Sequence, residues 1–462
     1  MLNLGAKTSG AREPDRRKPR FSFGRAALAV SLLLATALSV SCNVNGVGIF
    51  YGLQNERKIA TTGGLSNKLT IGSMVLVSGY YYVATGKIYV APNTQGAGAT
   101  LSWTALTPPI SGAICVQLVN ADPTNLSNTT VYAIFVSDSS PTVAAISGSA
   151  LVYEGTVNAS NGSIGWNSVP AFSNLYAQNL IVAGPTASPY LFVDASTTFN
   201  TDVTTTDTSY SLYWYNGSGT TGSAVLMTID GATAFSSPII AGAYDTGKST
   251  YWFASGSTLY QSNASPTDPG FATFTSNTPA PPSGIDSGNL QFSALYYSPS
   301  TASSTGGGLG ALFASTRNGY LYAYVDTSSA WTAPSTVANS GYLFGLTGVI
   351  DTGTLFGSTD AIMVGYDFGY YEMDIAAGSL TSSSSLSLVT PNGDNDLTTD
   401  LNYTATPLHD ITILNFFLDP TNPSDVRIFA LTAGGAATVI GGGGGLWRNE
   451  PTGTGSRTWS QD

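Results

Sequence analysis

Charged residues, cysteines and histidines are scarce in this sequence. Charged residues make up 9% of the 462 residues, and the chain has two cysteines and one histidine. No stretch shows a sustained apolar period of 3.6 residues, so we expect almost no helix beyond the N-terminal leader. Two cysteines so far apart argue against a disulfide scaffold.

The residues that are abundant favour strands. The chain has 52 glycines, 25 tyrosines and 19 phenylalanines, and short apolar runs alternate with segments of Gly, Ser, Thr and Asn. Runs of about five aromatic and β-branched residues bounded by turn-forming residues are typical of antiparallel strands. The supply of aromatic and aliphatic side chains excludes a disordered chain, and the composition is that of a β-rich extracytoplasmic protein.

The charge balance argues against nucleic acid as a partner. Residues 1–41 hold seven of the 16 basic residues and two of the 27 acidic residues. The remainder would therefore have nine basic and 25 acidic groups and a net charge near −16. Such a surface repels nucleic acid, and no basic patch offsets the repulsion.

The N-terminal segment has the organisation of an export signal. A basic region ends at Arg25, and residues 26–38 (AALAVSLLLATAL) form an apolar run too short to span a bilayer. The following LSVSC resembles the lipobox of bacterial lipoproteins, although Leu38 stands four positions before Cys42 instead of three, as in the relaxed boxes of spirochaete lipoproteins. The resemblance implies diacylation at Cys42, an acyl anchor in a bacterial membrane and a cell-envelope location. The alternative is an ordinary cleaved signal peptide with an incidental cysteine.

The second cysteine, Cys115, lies in the apolar run AICVQLVN. We predict that it is a buried apolar residue. A catalytic thiol is disfavoured because the only histidine, His409, is far away in the sequence.

A four-strand unit recurs along the chain, and its second strand gives the clearest register. Successive copies of this strand begin 50 to 66 residues apart. They occupy residues 80–86, 131–137, 190–196, 251–257, 311–317, 361–367 and 427–433. Four of the seven tryptophans stand in predicted fourth strands, each before Thr, Asn or Ser: Trp103, Trp166, Trp331 and Trp459.

Seven such units predict an all-β fold, a seven-bladed β-propeller of four-stranded antiparallel blades after a lipoprotein signal peptide. Unbroken apolar runs such as residues 411–418 (ITILNFFL) suit blades that pack on both faces. A parallel β-helix and a pair of β-sandwiches are the alternatives. The predicted divisions are 1–41 (signal peptide), 42–71 (linker with a possible ring-closing strand at 47–53) and blades 72–107, 108–170, 171–230, 231–277, 278–335, 336–391 and 392–462.

Residues 427–459 resemble the BNR or Asp-box repeats of sialidase-like and sortilin-like propellers, and the resemblance extends loosely over residues 72–462. In the box aligned on Trp459, Thr454 stands at the aspartate position and Ser456 at the second glycine. The defining residues are thus missing, and the resemblance implies the architecture without any catalytic residue. The adjacent Tyr371 and Glu372 point to opposite faces of a strand, so we interpret them as structural.

Candidate ligand-binding residues lie on long loops that join second to third strands or one blade to the next. Such loops share one side of an up-and-down propeller. The candidates are Asp202, Asp207, Asp394, Asp396, Asp400 and His409. The carboxylates of residues 394, 396 and 400 suit Ca²⁺, although the EF-hand spacing fails and a solvated turn is the alternative. We expect no other cofactor, and a cationic partner would suit this acidic face.

Two functions follow from the sequence. The first is a lipid-anchored, non-catalytic binding or scaffold protein for a macromolecule or glycan. The alternative is a polysaccharide hydrolase or lyase that uses loop carboxylates as acid and base.

Overall fold

The computed structural model describes part of the chain after residue 64. The described residues are 65, 69–93, 101–137, 152–186, 188–197, 210–217, 221–235, 237–263, 269, 272–299, 309–336, 342–349, 360–367, 369–375, 380–381, 386, 412–419, 427–433, 445–451 and 457–462. Within these ranges no helix is long and apolar enough to cross a membrane. The leader, Cys42 and the predicted strand 47–53 lie outside them.

The described strands form seven antiparallel sheets, and strands adjacent in sequence are adjacent in space. Blade 1 contains β1 (Ser73–Val77), β2 (Tyr80–Ala84), β3 (Ile88–Pro92) and β4 (Thr104–Ala105). Blade 2 contains β5 (Ala113–Asn120), β6 (Thr130–Ser137), β7 (Val152–Val157) and β8 (Ile164–Ser168). Blade 3 contains β9 (Tyr176–Ala183), β10 (Tyr190–Ser196), β11 (Tyr210–Asn216) and β12 (Ser223–Leu226).

The remaining four blades repeat this order. Blade 4 contains β13 (Ile239–Asp245), β14 (Thr250–Ser255), β15 (Thr258–Ser262) and β16 (Phe274–Ser276). Blade 5 contains β17 (Phe292–Ser298), β18 (Ala311–Thr316), β19 (Tyr320–Val325), β20 (Ala330–Trp331) and β21 (Ser335–Thr336). Blade 6 shows β22 (Leu343–Val349), β23 (Asp360–Tyr366) and β24 (Gly369–Ile375), and blade 7 contains β25 (Ile413–Leu418), β26 (Ile428–Thr432), β27 (Leu446–Pro451) and β28 (Arg457–Gln461).

The seven sheets form a closed ring around their first strands. These inner strands contact one another in the order β1, β5, β9, β13, β17, β22 and β25, and β25 contacts β1 again. The predicted seven-bladed propeller is therefore confirmed. Blade 6 shows three strands within the described residues, and the predicted limits of each blade stay predictions.

Apolar residues on both faces of each blade hold the ring together. The buried side chains form seven clusters, each shared by two neighbouring blades. In β14, for example, Phe253 packs toward blade 3 and Trp252 toward blade 5. Burying a large apolar side chain contributes about 2 kcal/mol, so unbroken apolar strands are what this architecture requires.

The four tryptophans predicted at equivalent outer positions occupy them. Trp166, Trp331 and Trp459 lie in fourth strands, and Trp103 directly precedes one. Each packs into the cluster shared with the preceding blade. Trp331 Nε1 donates to Asn277 Oδ1 at 3.1 Å. This repeated position confirms the register inferred from the sequence.

Blade 7 meets blade 1 without sharing a sheet in the described residues. The backbone N–H of Ile71 donates to Thr432 O at 3.0 Å, and the backbone N–H of Leu101 donates to Asp462 Oδ1 at 2.9 Å. The Tyr81 hydroxyl donates to the Asp419 carboxylate. Polar contacts and a shared apolar cluster therefore join the two blades.

Candidate functional site

Six of the seven inner strands bend at the same place. β5, β9, β13, β17, β22 and β25 each shift register against their second strand in their first half. The extra residues of these bulges are Val116, Gln178, Ile240, Ser293, Phe344 with Gly345, and Leu414. A bulge bends its strand and redirects side chains, and bulges are frequent beside functional sites.

The bulges surround a cavity in the central channel. Its volume is about 440 Å³, and residues of all seven blades line it, including every bulge residue. This volume falls within the range of roughly 300 to 1,000 Å³ that is usual for ligand pockets. The bulged ends of the strands face the side that carries the second-to-third-strand turns and the blade-to-blade connections, which we call the connection face. The cavity therefore lies toward the face that the sequence favoured for binding.

Side chains from neighbouring blades fix the cavity wall. Gln117 Nε2 donates to Asn179 Oδ1 at 3.0 Å, and Leu180 N donates to Gln117 Oε1 at 2.7 Å. Asn179 Nδ2 in turn donates to the carbonyls of Ile239 and Ile240 at 3.0 Å each. These bonds link blades 2, 3 and 4 at the height of the bulges. They also satisfy backbone groups that the bulges leave without sheet partners.

Arg317 is the only basic residue among those that line the cavity within the described chain. It lies in the turn between β18 and β19, and its backbone N–H donates to Gln291 O at 2.7 Å. Gln291 N in turn donates to Asn318 Oδ1 at 3.1 Å, so the turn is held from both sides. Burial lowers the pKa of the Arg317 guanidinium. In the described residues this guanidinium has no hydrogen bond and no ion pair.

Asp194 is the acidic residue of the cavity wall. It lies on β10 opposite Asn179, and its side chain is buried. Neither carboxylate oxygen accepts a hydrogen bond of full geometry in the described structure, although the backbone N–H of Ile239 approaches the carboxylate. Burial raises its pKa to about 8, and the backbone N–H of Ile239 only partly opposes this. Burial therefore disfavours the charged form of the Asp194 carboxyl group.

A second cavity of about 310 Å³ lies between blades 2 and 3 on the opposite face. Its wall contains Glu154 together with Tyr132, Tyr190, Trp214 and Tyr215. The Tyr132 hydroxyl hydrogen-bonds to Glu154, and this bond and burial raise the pKa of Tyr132. The rings also pack on each other, with Tyr132 and Tyr215 centroids 6.2 Å apart. The two ionisable groups Glu154 and Tyr132 thus bind each other within the fold, whereas Trp214 Nε1 is buried without a partner among the described residues.

Two further acids meet on the opposite face, between blades 4 and 5. Tyr297 OH donates to Asp326 Oδ2 at 2.7 Å, and Lys248 N donates to Asp245 Oδ1 at 2.9 Å. A Cβ atom on Gly247 would lie within 3.3 Å of both carboxylates, which shows how closely they gather. Burial raises the pKa of Asp326 to about 6. Tyr297 OH also accepts the backbone N–H of Gly247 at 3.0 Å, which joins blades 4 and 5, so we interpret this cluster as structural.

Every predicted ligand-binding residue lies outside the described residues: Asp202, Asp207, Asp394, Asp396, Asp400 and His409. The calcium hypothesis therefore stays a prediction. In the described chain no group of three His, Cys, Asp or Glu residues is placed to hold a metal ion.

Two structural interpretations from the sequence agree with the fold. Cys115 is buried with a free thiol, and burial raises its pKa, which disfavours the nucleophilic thiolate. Tyr371 and Glu372 are both buried in β24, and Tyr371 packs on Tyr366 with centroids 5.1 Å apart.

The sequence did not single out Arg317 or Asp194 as site residues. The signal for Asp194 was present, because an aspartate interrupts the apolar strand YLFVDAS. Arg317 gave no such signal, since an arginine before Asn-Gly in a turn is ordinary. Only the ring closure places both side chains at one cavity.

Comparison with solved structures places this fold among known propellers. An ancestral GH74 enzyme superposes with a TM-score of 0.54 at 12% identity, covering 87% of this chain and 48% of the enzyme. The chain thus spans about half the length of that enzyme. The extracellular domain of a protein described as a one-component system from B. thetaiotaomicron gives 0.47 at 13% identity, covering 82% of this chain and 39% of that one. The Myceliophteria thermophila Cps50 (Swd1) propeller domain gives 0.42 at 11%, covering 76% and 89%.

No protein-family model and no curated protein matches this sequence. At identities this low, structural similarity shows the fold alone. The protein is a seven-bladed β-propeller whose distant structural neighbours include a glycoside hydrolase and proteins of other kinds.

Proposed function

We propose that this protein is a binding propeller of the bacterial cell envelope, which holds a glycan or another macromolecule at its central channel. The observation that supports this most is the cavity of about 440 Å³ on the connection face. Its wall is fixed by hydrogen bonds between blades, and a preformed site loses little conformational freedom when it binds.

The composition of the wall favours binding over hydrolysis. Glycoside hydrolysis needs two carboxyl groups about 5 to 10 Å apart across the scissile bond. Among the described residues that line the cavity, Asp194 is the one carboxyl group, and its oxygens are buried. The alternative, a hydrolase or lyase, would have to draw its acid and base from residues such as Asp202 and Asp394.

A plugged channel tests this function. Leu414 is a partly exposed bulge residue of the cavity wall, so Leu414→Trp should fill the cavity. Leu226→Trp is the matched control, because Leu226 is 47% exposed on an outer strand. We expect immobilised wild-type protein and Leu226→Trp to retain labelled glycans from envelope extracts, and Leu414→Trp to lose most of them.

Two results would contradict the proposal. Equal retention by Leu414→Trp, with an unchanged melting temperature, would remove the channel as the site. Release of shortened oligosaccharides by the wild type, detected as new reducing ends, would favour the hydrolase alternative.

The envelope location depends on the lipid anchor proposed at Cys42. The cysteine follows small residues and an apolar run, which resembles the pattern of acylated cysteines, with Leu38 one position further from Cys42 than usual. We expect cells grown with labelled palmitate to label the wild type and not Cys42→Ala, and the variant to leave the membrane fraction. Equal label in both proteins would show that Cys42 is incidental.

A further inference from the structure

Within the described residues Arg317 forms no ion pair, and Asp194 is the only other ionisable side chain that lines its cavity. A charge withdrawn from water without a partner is costly, so such groups usually serve a ligand or a pair. The Arg317 side chain is partly buried, and burial lowers its pKa. Asp194 is itself buried, which raises its pKa and disfavours its charged form, and the carboxylate of Asp367 accepts the backbone N–H of Tyr342 at 2.9 Å.

The hydrogen-bond donors of the Arg317 guanidinium indicate which ligand group it would bind. Its planar set of N–H donors matches a carboxylate through two parallel hydrogen bonds. Asn415 also lines the cavity and is exposed to it. Its Oδ1 accepts the N–H of Phe416 at 2.8 Å, which leaves the amide NH₂ group free to donate within the described structure. The cavity thus offers hydrogen-bond donors to a ligand rich in oxygen.

The cavity wall disfavours an extended peptide as the ligand. A peptide that adds to a sheet needs a free row of backbone N–H and C=O groups. Several of these groups on the inner strands are already bonded to side chains of the neighbouring blade. Gln117 binds Leu180 O, Asn179 binds the carbonyls of β13, and Ser315 Oγ donates to Phe344 O at 2.9 Å. Recognition must therefore come from side-chain donors, which suits a sugar.

The net charge limits how acidic the ligand is. The chain without its leader would be near −16, so a polyanion would be repelled before it reached the channel. A neutral glycan with an isolated carboxylate avoids most of this repulsion.

We propose that the channel cavity binds a glycan that has a uronic-acid residue, with Arg317 on the sugar carboxylate and Asn415 on neighbouring hydroxyls. This inference rests on the proposed function and names the ligand class of the same site.

The test uses a matched pair of probes, cellobiouronate and cellobiose, with trialanine as a peptide that has a free carboxylate. Each is titrated by calorimetry into the full chain and into Arg317→Gln, Arg317→Lys and Lys87→Gln. Lys87 is the control, because it is an exposed cation in the same kind of turn in blade 1 and does not line the cavity.

We expect cellobiouronate to bind at least about tenfold more tightly than cellobiose, the effect of one charge-assisted contact. Arg317→Gln should remove this preference. Arg317→Lys should keep part of it, because lysine has the positive charge but not the two parallel N–H donors of the guanidinium. Lys87→Gln should stay within about twofold of the wild type.

Equal affinity for the two sugars, or an unchanged preference in Arg317→Gln, would overturn the inference. Tighter binding of trialanine than of cellobiouronate would overturn the sugar class. The outcomes separate the two proposals. If the protein retains neutral envelope glycans but does not prefer cellobiouronate, the binding function is supported and recognition of a carboxylate is contradicted. If cellobiouronate binds through Arg317 but no envelope glycan is retained, recognition of the carboxylate is supported and the binding function in the envelope is contradicted.

Discussion

Among the described residues, the central cavity and the cavity on the opposite face are each lined by one acidic residue, and the hydrogen bonding of the two acids differs. Glu154 accepts a hydrogen bond from Tyr132 among packed aromatic rings. Within the described residues, Asp194 accepts no hydrogen bond of full geometry and Arg317 in the same cavity wall forms no ion pair. A cavity whose ionisable groups bind each other is part of the structure. A cavity whose ionisable groups are left unpaired by the described residues is suited to a ligand, which is why we assign function to the central one.

The largest expected effect is on the pH dependence of stability and involves Asp194. Burial raises the pKa of Asp194 from its ordinary value of 3.8 to about 8, so the folded state holds this proton more tightly. The associated stability is fully present below about pH 4 and is lost as pH rises toward 8, at roughly 1.4 kcal/mol per pH unit. In Asp194→Asn the slope between pH 6 and 8 should fall by about this amount, because the amide does not titrate. Below pH 6 a slope from Asp326 should remain, since burial raises its pKa to about 6.

Chemical denaturation at pH 5, 6, 7 and 8 measures this slope. Asp286→Asn is the control, because Asp286 is an exposed aspartate. The groups at Asp194 are Asn179, its partner on the neighbouring strand, and the backbone N–H of Ile239, and Arg317 is the one cation among the described residues that line the same cavity. The same slope in wild type and Asp194→Asn would mean that a partner for the carboxylate has been missed.

A smaller effect is expected at the opposite cavity. Glu154→Gln keeps the size of the side chain and an oxygen that accepts the Tyr132 hydroxyl. We expect the free energy of unfolding at pH 7 to change by less than about 1 kcal/mol, measured by urea titration. A gain of several kcal/mol would show that the Glu154 carboxylate is buried and unsupported like that of Asp194, and the contrast between the two cavities would disappear.

The fold could be predicted from the sequence because the repeat fixes it. Apolar runs such as residues 251–257 had to be second strands that bury both faces, and the four tryptophans gave the register of the outer strands. The site could not be predicted in the same way. Arg317 and Asp194 are 123 positions apart and become neighbours of one cavity only when blades 3 and 5 face the same channel. The bulges that shape the cavity also have little signal in the sequence, because they depend on how the backbones of two strands pair.

Binding of cellobiouronate to Arg317→Gln and Glu154→Gln, measured side by side with the wild type, tests the central claim most directly. The account predicts a loss of at least about tenfold in Arg317→Gln and a change within about twofold in Glu154→Gln. Wild-type affinity in Arg317→Gln together with a loss in Glu154→Gln would contradict it, and would place the binding site on the opposite face of the propeller.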